Sequence, residues 1–270
     1  MQRFKGVCLV IGDPVEHSLS PRMHNAAYKK LEIEDKYAFI KCHVGPSDLA
    51  DFIKSARRLR IRGICCTIPH KVKVIPYLDE IDNVAKKIGA VNTVVNDNGV
   101  LKGYNTDWLG VLAPLEKLTD IKNKSVVLLG AGGAARAACF AVSKKSGKLT
   151  IYNRTFEKAQ ELAVEFGAKA LFFEKLDNVK NADIIINATS VGLYPNKNET
   201  PLSKKYISKN QIVFDLVYSS SGETKLLKEA KEKGAKTISG IEMLLHQAFM
   251  QFKLFTEFDA PENVMRKVIS

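Results

Sequence analysis

Short apolar runs alternate with longer amphipathic stretches along the first part of the chain. Apolar runs of this kind are typical of buried strands, and apolar positions spaced three or four residues apart are typical of helices. The pair Asn98-Gly99, set between two apolar runs, is a strong hairpin signal. The pattern predicts strands at 7–11, 37–44 and 63–68, helices at 21–31, 48–59 and 76–88, and a hairpin of strands 91–96 and 100–104. We expect Ser20 to cap the first helix, with Pro21 at its first position.

The pattern becomes a regular strand–helix repeat after Asp120, which is typical of a doubly wound parallel sheet. The predicted strands are 125–129, 148–152, 183–187 and 212–216, and the predicted helices are 134–143, 157–166 and an apolar tail at 242–258. We place a domain boundary near Asp107 and expect the last helices to return to the first domain. The expected domains are therefore 1–107 together with 241–270, and 108–240.

Composition narrows the class of protein. The chain has 270 residues, 46% hydrophobic and 26% charged, which is ordinary for a globular protein of one or two domains. No apolar run approaches the ~18 residues of a membrane helix, and the first apolar run is too short for a signal peptide. The five cysteines and five histidines lack the spacing of metal ligands or of a disulfide framework. We expect a cytoplasmic protein with no membrane partner and no metal.

A formal net charge of +12 raises the question of nucleic-acid binding. The lysines are dispersed in pairs, such as Lys29-Lys30 and Lys144-Lys145, on segments that are predicted to be solvated. No aromatic residues are interleaved with them in a basic stripe. We therefore expect a basic surface that attracts small anionic ligands and no nucleic-acid partner.

A glycine-rich segment follows the strand predicted at 125–129 and opens the next helix. It reads Gly130-Ala131-Gly132-Gly133-Ala134-Ala135 and matches the G-x-G-x-x-A pattern of dinucleotide-binding folds. Gly130 allows the tight turn, Gly132 lets the backbone approach a pyrophosphate, and Ala135 allows close packing of the helix on the sheet. The N-terminus of the helix supplies partial positive charge. This context predicts a dinucleotide-binding domain.

The end of the following strand indicates which dinucleotide is bound. NAD enzymes usually carry Asp or Glu there, whereas this chain has Asn153-Arg154-Thr155, with Lys158 one turn later. A guanidinium binds a 2′-phosphate in a bidentate way. Arg154 and Lys158 could also be ordinary surface cations, but their position favours NADP.

Four further segments carry polar groups at places where a buried fold alone does not require them. They are Ser18-Leu19-Ser20, Thr67-Ile68-Pro69-His70-Lys71, Gly89-Ala90-Val91-Asn92-Thr93 and Gly103-Tyr104-Asn105-Thr106-Asp107. Two hydroxyls beside a helix N-terminus can hold a carboxylate. Lys71 could be a solvated lysine, Asn92 a turn residue and Asp107 a helix cap. Alternatively, Asn92 forms a hydrogen bond to a hydroxyl group of a ligand, and Lys71 and Asp107 form an acid–base pair.

Taken in chain order, these motifs resemble the shikimate dehydrogenase family over nearly the whole chain. The other motifs that carry the resemblance are Asn187-Ala188-Thr189-Ser190 and the segment from Gly240 to Gln247. The resemblance implies a two-domain α/β fold, with an N-terminal substrate domain, a doubly wound Rossmann domain for NADP, and the active site in the cleft between them. One departure is visible: the family usually has Asn-Val where this chain has Cys65-Cys66.

The resemblance also implies roles for individual residues. Lys71 and Asp107 are the implied catalytic pair. The implied contacts to the substrate carboxylate are Ser18, Ser20 and Tyr218, and those to the ring hydroxyls are Thr67, Asn92 and Gln247. The residues implied to bind NADP are Gly130, Ala131, Gly132, Gly133, Ala134, Asn153, Arg154, Thr155 and Lys158, with Val217 and Gly240 beside the nicotinamide.

The implied reaction is the reversible reduction of 3-dehydroshikimate to shikimate by NADPH, in a monomer or homodimer. An ammonium group such as that of Lys71 suits this reaction, because a hydride that reaches a ketone carbon leaves negative charge on oxygen. A quinate/shikimate dehydrogenase with relaxed specificity is one alternative. A non-catalytic NADP-binding regulator is another, and it would not need Lys71 and Asp107 together.

Overall fold

A computed structural model describes residues 5–173, 175–193, 196–218 and 223–269. The chain divides into two compact units, Met1–Thr106 with Leu245–Ser270, and Asp107–Leu244. No helix among the described residues is long and apolar enough to cross a membrane.

The first unit contains a mixed sheet. Its strands within the described residues are β1 (Gly6–Gly12), β2 (Tyr37–His43), β3 (Gly63–Cys66), β4 (Glu80–Ile81), β5 (Thr93–Asp97) and β6 (Val100–Tyr104), in the order β2-β1-β3-β5-β6-β4. The pairs β1–β2, β1–β3 and β4–β6 are parallel, whereas β3–β5 and β5–β6 are antiparallel.

Short helices cover this sheet. They are α1 (Ser20–Lys30), α2 (Leu49–Arg58), α3 (His70–Lys73) and α4 (Asn83–Ile88), with a 3₁₀ turn at Ile75–Tyr77. Apolar residues of α2 and α4 join those of β1 and β3 in one buried cluster. The segment after β3 lies at the end of two parallel strands, where Thr67 N–H donates to the carbonyl of Ile11 at 2.9 Å.

The hairpin prediction is confirmed. The strands β5 and β6 are joined by Asn98 and Gly99, whose φ angles are 53° and 99°. Positive φ at both central residues matches the twist of the flanking strands, which explains why Asn-Gly suits this turn. Gly99 N–H also donates to Asn96 Oδ1 at 2.8 Å.

The single helix predicted over 76–88 is wrong. The segment contains a 3₁₀ turn, the short strand β4 and only then α4. Asp82 begins α4 by accepting a hydrogen bond from Val84 N–H at 2.8 Å, and its own backbone is extended. An aspartate in this conformation is a favourable N-cap, so the polar pattern marked a helix start that we placed too early.

The second unit contains a parallel sheet with helices on both faces. Its strands within the described residues are β7 (Ser125–Leu129), β8 (Lys148–Asn153), β9 (Lys169–Phe172), β10 (Ile184–Asn187), β11 (Ile212–Asp215) and β12 (Lys236–Ile238), in the order β12-β11-β10-β7-β8-β9. This is the strand order of a doubly wound dinucleotide-binding fold, in which β7 and β10 flank the switch point.

Alternate residues of these strands enter two separate cores. Val126 and Leu128 of β7 join the cluster under α5 (Asp107–Glu116), α6 (Gly133–Lys144) and α7 (Phe156–Phe166). Val127 and Leu129 join the opposite cluster, which α8 (Lys225–Glu232) covers. A strand buried on both faces reads as a continuous apolar run, as predicted for 125–129.

Two helices complete the chain. The helix α9 (Gly240–Thr256) begins in the second unit and continues into the first, and α10 (Glu262–Lys267) packs against α1. In the first unit, His24 of α1 stacks on Phe39 of β2, with ring centroids 4.3 Å apart, and lies near Phe252 and Phe255 of α9. Burial without a hydrogen-bond partner lowers the pKa of His24 to about 3.

Candidate functional site

Gly130 makes the turn that leaves β7. Its φ is +107°, and its N–H donates to the carbonyl of Tyr152 at 2.8 Å. A Cβ at this position would lie 2.9 Å from the carbonyl carbon and oxygen of Ala188, which follows β10. Both the backbone conformation and the close approach of a second backbone segment therefore require glycine.

Gly132 differs from Gly130 because the space around it is open. Its backbone is extended, with φ −91° and ψ −170°, and it directly precedes α6. A Cβ at Gly132 would meet no described atom within 4 Å. The first N–H groups of α6 have no partner within the helix and carry partial positive charge. Ala135 is fully buried against the sheet, as predicted. The loop fits a pyrophosphate that approaches the open side.

The tip of β8 is basic. Asn153 ends the strand, and its Nδ2 donates to the carbonyl of Thr155 at 2.8 Å, which closes the turn into α7. Arg154, Thr155 and Lys158 are exposed, and Lys158 lies in the first turn of α7. Within the described part of the chain, neither Arg154 nor Lys158 forms an ion pair. The donor set fits the 2′-phosphate of NADP, since no carboxylate stands at the strand tip.

Val217 and Gly240, predicted from sequence to flank the nicotinamide, lie together in the second unit. A Cβ at Gly240 would approach the carbonyl oxygen of Val217 to 2.5 Å and that of Leu216 to 2.7 Å. Gly240 is also the first residue of α9. The helix therefore begins directly against the segment that leaves β11.

Asp215, which the sequence analysis did not select, ends β11. It is 1% exposed, and its carboxylate accepts hydrogen bonds from Asn187 Nδ2 at 2.8 Å, from Val217 N–H at 3.1 Å and from Thr224 Oγ1 at 2.6 Å. Burial raises the pKa of the Asp215 carboxyl to about 6, although the three hydrogen bonds act to lower it. A carboxylate at the end of a buried strand was the signal in the sequence that could have found it.

Asn92 and Gln247, predicted to contact the ring hydroxyls, are brought together in the first unit. Asn92 Nδ2 donates to Gln247 Oε1 at 3.3 Å and to Thr106 Oγ1 at 2.9 Å. Asn92 Oδ1 accepts from Thr106 N–H at 2.8 Å. The two amides are 1% and 5% exposed, respectively. A buried amide with this many partners has a fixed orientation, which argues against a role as a turn residue.

Thr93 and Gln251 extend this network. The sequence predicted a site role for neither of them, and Thr93 appeared only as the last residue of the polar segment 89–93. Gln251 Nε2 donates to Thr93 Oγ1 at 2.9 Å, and Thr93 Oγ1 donates to Asn92 Oδ1 at 2.8 Å. Gln251 Nε2 also lies 3.3 Å from Cys65 Sγ. Gln251 Oε1 is buried and has no hydrogen-bond partner among the described residues. Cys65, which stands where the family resemblance led us to expect Asn, therefore lies beside a glutamine amide whose oxygen has no hydrogen-bond partner among the described residues.

Lys71 lies in the short helix α3, five residues beyond Cys66, where β3 ends. Strand β3 ends at Cys66 and not at residue 68, because Pro69 has no N–H to continue a ladder. His70 anchors the helix through a 2.7 Å hydrogen bond to the carbonyl of Val44. The carbonyl of Lys71 accepts from Val91 N–H at 2.7 Å, which ties this segment to the one that carries Asn92.

The prediction that Ser20 caps α1 is wrong. Leu19 precedes the helix, no side chain caps it, and Ser20 is its first residue, so Pro21 takes the second position and not the predicted first position. Ser18 has the local role instead, because its Oγ accepts from Ser20 N–H at 3.3 Å. Ser20 is buried and Ser18 is half-buried. Both hydroxyls still lie at the N-terminus of α1, where an anion is favoured.

Asp107 and Tyr218 belong to the second unit. Asp107 is the first residue of α5 and is 3% exposed, a position where a carboxylate interacts favourably with the helix N-terminus. Tyr218 is half-buried and follows Val217 directly.

Family models match three parts of the chain. Residues 10–94 match the shikimate dehydrogenase substrate binding domain, residues 113–232 match shikimate/quinate 5-dehydrogenase, and residues 240–269 match the shikimate 5′-dehydrogenase C-terminal domain. Together these matches extend over most of the sequence and both compact units.

Individual relatives agree with the family models. The chain is 44% identical over 258 residues to a shikimate dehydrogenase (NADP(+)) of Methanosphaera stadtmanae, covering 92% of this chain and 90% of that one. It resembles the crystal structure of the Aquifex aeolicus shikimate dehydrogenase with a TM-score of 0.91 at 38% identity, covering 98% and 97% of the two chains. It resembles a Thermus thermophilus shikimate 5-dehydrogenase, crystallised with NADP(H) and shikimate, with a TM-score of 0.89 at 35% identity and 98% coverage of each chain. The chain therefore belongs to the shikimate dehydrogenase family.

Proposed function

We propose that this protein catalyses the reversible NADPH-dependent reduction of 3-dehydroshikimate to shikimate, a step in the biosynthesis of aromatic amino acids. The main support is its match to a relative crystallised with NADP(H) and shikimate, over 98% of both chains. The basic tip of β8 and the open glycine loop add independent physical support for NADP.

The cofactor is assigned to the second unit. Gly130 makes the turn that brings the loop to the pyrophosphate, and backbone N–H groups of Ala131, Gly132, Gly133 and Ala134 would hold the pyrophosphate at the N-terminus of α6. The side chains of Asn153, Arg154, Thr155 and Lys158 hold the adenosine 2′-phosphate. Val217 and Gly240 flank the nicotinamide. The fit rests on the positive φ of Gly130, the open space at Gly132 and the cations at the strand tip, which form no ion pair with any residue that the structure describes.

The substrate is assigned to the polar groups that the family resemblance implies. Ser18, Ser20 and Tyr218 hold the carboxylate, because hydroxyls at the N-terminus of α1 suit an anion. Thr67, Asn92 and Gln247 hold the ring hydroxyls. The network around Asn92 fixes the orientation of its amide, and a ring hydroxyl would replace one of the present partners, such as Gln247 Oε1 at 3.3 Å.

Lys71 and Asp107 are assigned as the catalytic pair. When bound, NADPH supplies a hydride to the ring carbonyl carbon, and the carbonyl oxygen becomes negative as the C–O double bond breaks. The Lys71 ammonium stabilises that charge and delivers the proton that completes the hydroxyl. Asp107 is its acid–base partner: it orients the ammonium, and it passes a proton from solvent to the neutral lysine after the transfer.

The test is kcat for shikimate oxidation in Lys71→Ala. We expect kcat to fall by about 10²-fold or more, with a smaller effect on the KM for shikimate, because the ammonium acts mainly when charge develops on oxygen. Lys73→Ala is the matched control, since Lys73 is an exposed lysine of the same short helix. Equal losses in the two variants, or an unchanged kcat in Lys71→Ala, would remove Lys71 from the mechanism.

The remaining assignments are the cellular site and the assembly. We place the protein in the cytoplasm, where NADPH-dependent biosynthesis takes place, as a monomer or homodimer. Light scattering of the purified protein separates these two states, and a larger mass would exclude both.

A further inference from the structure

Asp215 is a buried titratable group that the proposed reaction does not use. It lies at the carboxyl end of the parallel sheet, where ligands of doubly wound folds bind. Each carboxylate oxygen has at least one protein donor: Asn187 Nδ2 and Val217 N–H on Oδ1, and Thr224 Oγ1 on Oδ2. The carboxylate therefore joins the segments that leave β10 and β11 to the start of α8.

Asn187 transmits this arrangement to the next loop. While its Nδ2 donates to Asp215, its Oδ1 accepts from Thr189 N–H at 3.0 Å and from Thr189 Oγ1 at 2.7 Å. Thr189 Oγ1 in turn accepts from Val191 N–H at 3.2 Å. Because both ends of the Asn187 amide are engaged, the carboxylate fixes its orientation and the amide fixes the loop at 188–191.

This loop and the Val217 segment are the backbone against which the proposed cofactor residues lie. A Cβ at Gly130 would meet Ala188 at 2.9 Å and Thr189 N at 3.1 Å, and a Cβ at Gly240 would meet Val217 O at 2.5 Å. Such close approaches leave little room for either segment to shift without moving its neighbour. Asp215 is thus linked through hydrogen bonds to the segments that contact Gly130, in the proposed pyrophosphate turn, and Gly240, in the proposed nicotinamide segment.

We propose that Asp215 is a positioning residue for the cofactor, which acts through Asn187 on the turn at Gly130 and directly on the backbone of Val217. The proposal rests on the proposed function only through the assignment of Gly130 and Val217 to NADP.

The chemistry of the carboxyl argues against a purely stabilising role. Burial raises its pKa to about 6, so its ionised form is held at a cost to folding at neutral pH. An apolar side chain of similar size would avoid that cost, but it would leave Val217 N–H without its acceptor and Asn187 Nδ2 with only the carbonyl of Val191, at 3.4 Å. An asparagine would retain an acceptor for both and could donate to Thr224 Oγ1. The polar contacts, and not the charge, are what the position supplies.

The test measures KM for NADP⁺ and for shikimate, together with the melting temperature, in four variants of the full chain. Asp215→Leu removes the acceptors, and Asn187→Ala interrupts the relay at its other end, in case Asp215→Leu does not fold. We expect both to raise the KM for NADP⁺ by about tenfold, with the KM for shikimate within about twofold of wild type. Asp215→Asn should keep the wild-type KM for NADP⁺, and its melting temperature at pH 7.5 should be no lower than that of wild type.

Thr224→Val is the matched control, because it removes only the contact on the α8 side of the carboxylate. We expect it to change the melting temperature without changing either KM. A purely structural role predicts lower melting temperatures and less active enzyme with an unchanged KM for NADP⁺ in Asp215→Leu and Asn187→Ala, and that result would overturn the proposal. Equal increases in both KM values would also overturn it. Wild-type protein that fails to reduce NADP⁺ with shikimate would instead count against the proposed function.

Discussion

The two glycines of the loop after β7 should fail in different ways when each is replaced by alanine. At Gly130 the substitution forces φ of +107° on an L residue and places a Cβ 2.9 Å from the backbone of Ala188. The strained conformation costs about 1–3 kcal/mol. The overlap adds about 1–3 kcal/mol, because a backbone segment between two sheet strands cannot move aside as a flexible side chain would.

At Gly132 the same substitution meets no described atom within 4 Å, and its φ of −91° is accessible to alanine. The free energy of unfolding should therefore stay within about 1 kcal/mol of wild type, on either side. Binding should suffer instead, because the added methyl occupies the side from which the pyrophosphate approaches. We expect the KM for NADP⁺ to rise by about tenfold or more.

Thermal melts and steady-state kinetics separate the two effects. A loss of about 3 kcal/mol in Gly130→Ala corresponds to a fall in Tm of about 6–12 °C for a protein of this size. Gly132→Ala should melt close to wild type and still lose NADP⁺ affinity. The reasoning is refuted if Gly130→Ala melts within about 2 °C of wild type, or if Gly132→Ala binds NADP⁺ normally.

Three further predictions concern single side chains. Arg154→Ala should raise the KM for NADP⁺ about ten- to a hundredfold more than that for NAD⁺, because a charge-assisted phosphate contact contributes about 1.5–3 kcal/mol. Equal increases in the two KM values would show that Arg154 does not contact the 2′-phosphate. The pKa of His24 is about 3 in the folded state, below its ordinary value of 6.5. Between these two pH values the unfolded chain binds more protons than the folded protein, so the free energy of unfolding decreases as the pH falls from 6.5 towards 3. At pH 5 the loss should be about 2 kcal/mol, and His24→Leu should flatten the dependence of Tm on pH; an unchanged slope in that variant would assign the acid sensitivity to other groups. Ser18→Ala should lower the free energy of unfolding by up to about 1 kcal/mol, since Ser18 Oγ accepts from Ser20 N–H. It should also weaken the binding of shikimate, measured by calorimetry, much more than that of an analogue without the carboxylate. Equal weakening of both ligands would exclude the carboxylate role.

The elements with a strong periodic signal could be predicted from sequence. Strand β7 was placed at its observed ends, and the Asn98-Gly99 hairpin and the helix after the glycine loop were placed within a few residues. Buried parallel strands are continuous apolar runs, and their ends coincide with glycine or polar turn residues. The short edge strands β9 and β12 have no such run and were missed, and β4 was hidden inside a polar segment.

The candidate site could be predicted only in part. The glycine loop and the basic tip of β8 follow from local spacing, because strand, turn and helix are adjacent in sequence. The pairing of Asn92 with Gln247 joins residues 155 positions apart, so no local pattern contains it, and only the family resemblance suggested it. Gln251 was missed for the same reason, because its partner Thr93 is 158 positions away. Asp215 did have a local signal, a carboxylate at the end of a buried strand, and that signal was overlooked.

The most direct test of the proposed function is the kcat/KM of the purified wild-type protein for the four pairs of shikimate or quinate with NADP⁺ or NAD⁺. We predict that shikimate with NADP⁺ gives the highest value, and that replacing NADP⁺ by NAD⁺ lowers it by about tenfold or more, because the contacts of Arg154 and Lys158 to the 2′-phosphate are lost. A protein that reduces neither cofactor with shikimate, or that oxidises quinate with NAD⁺ as efficiently as shikimate with NADP⁺, would contradict this account.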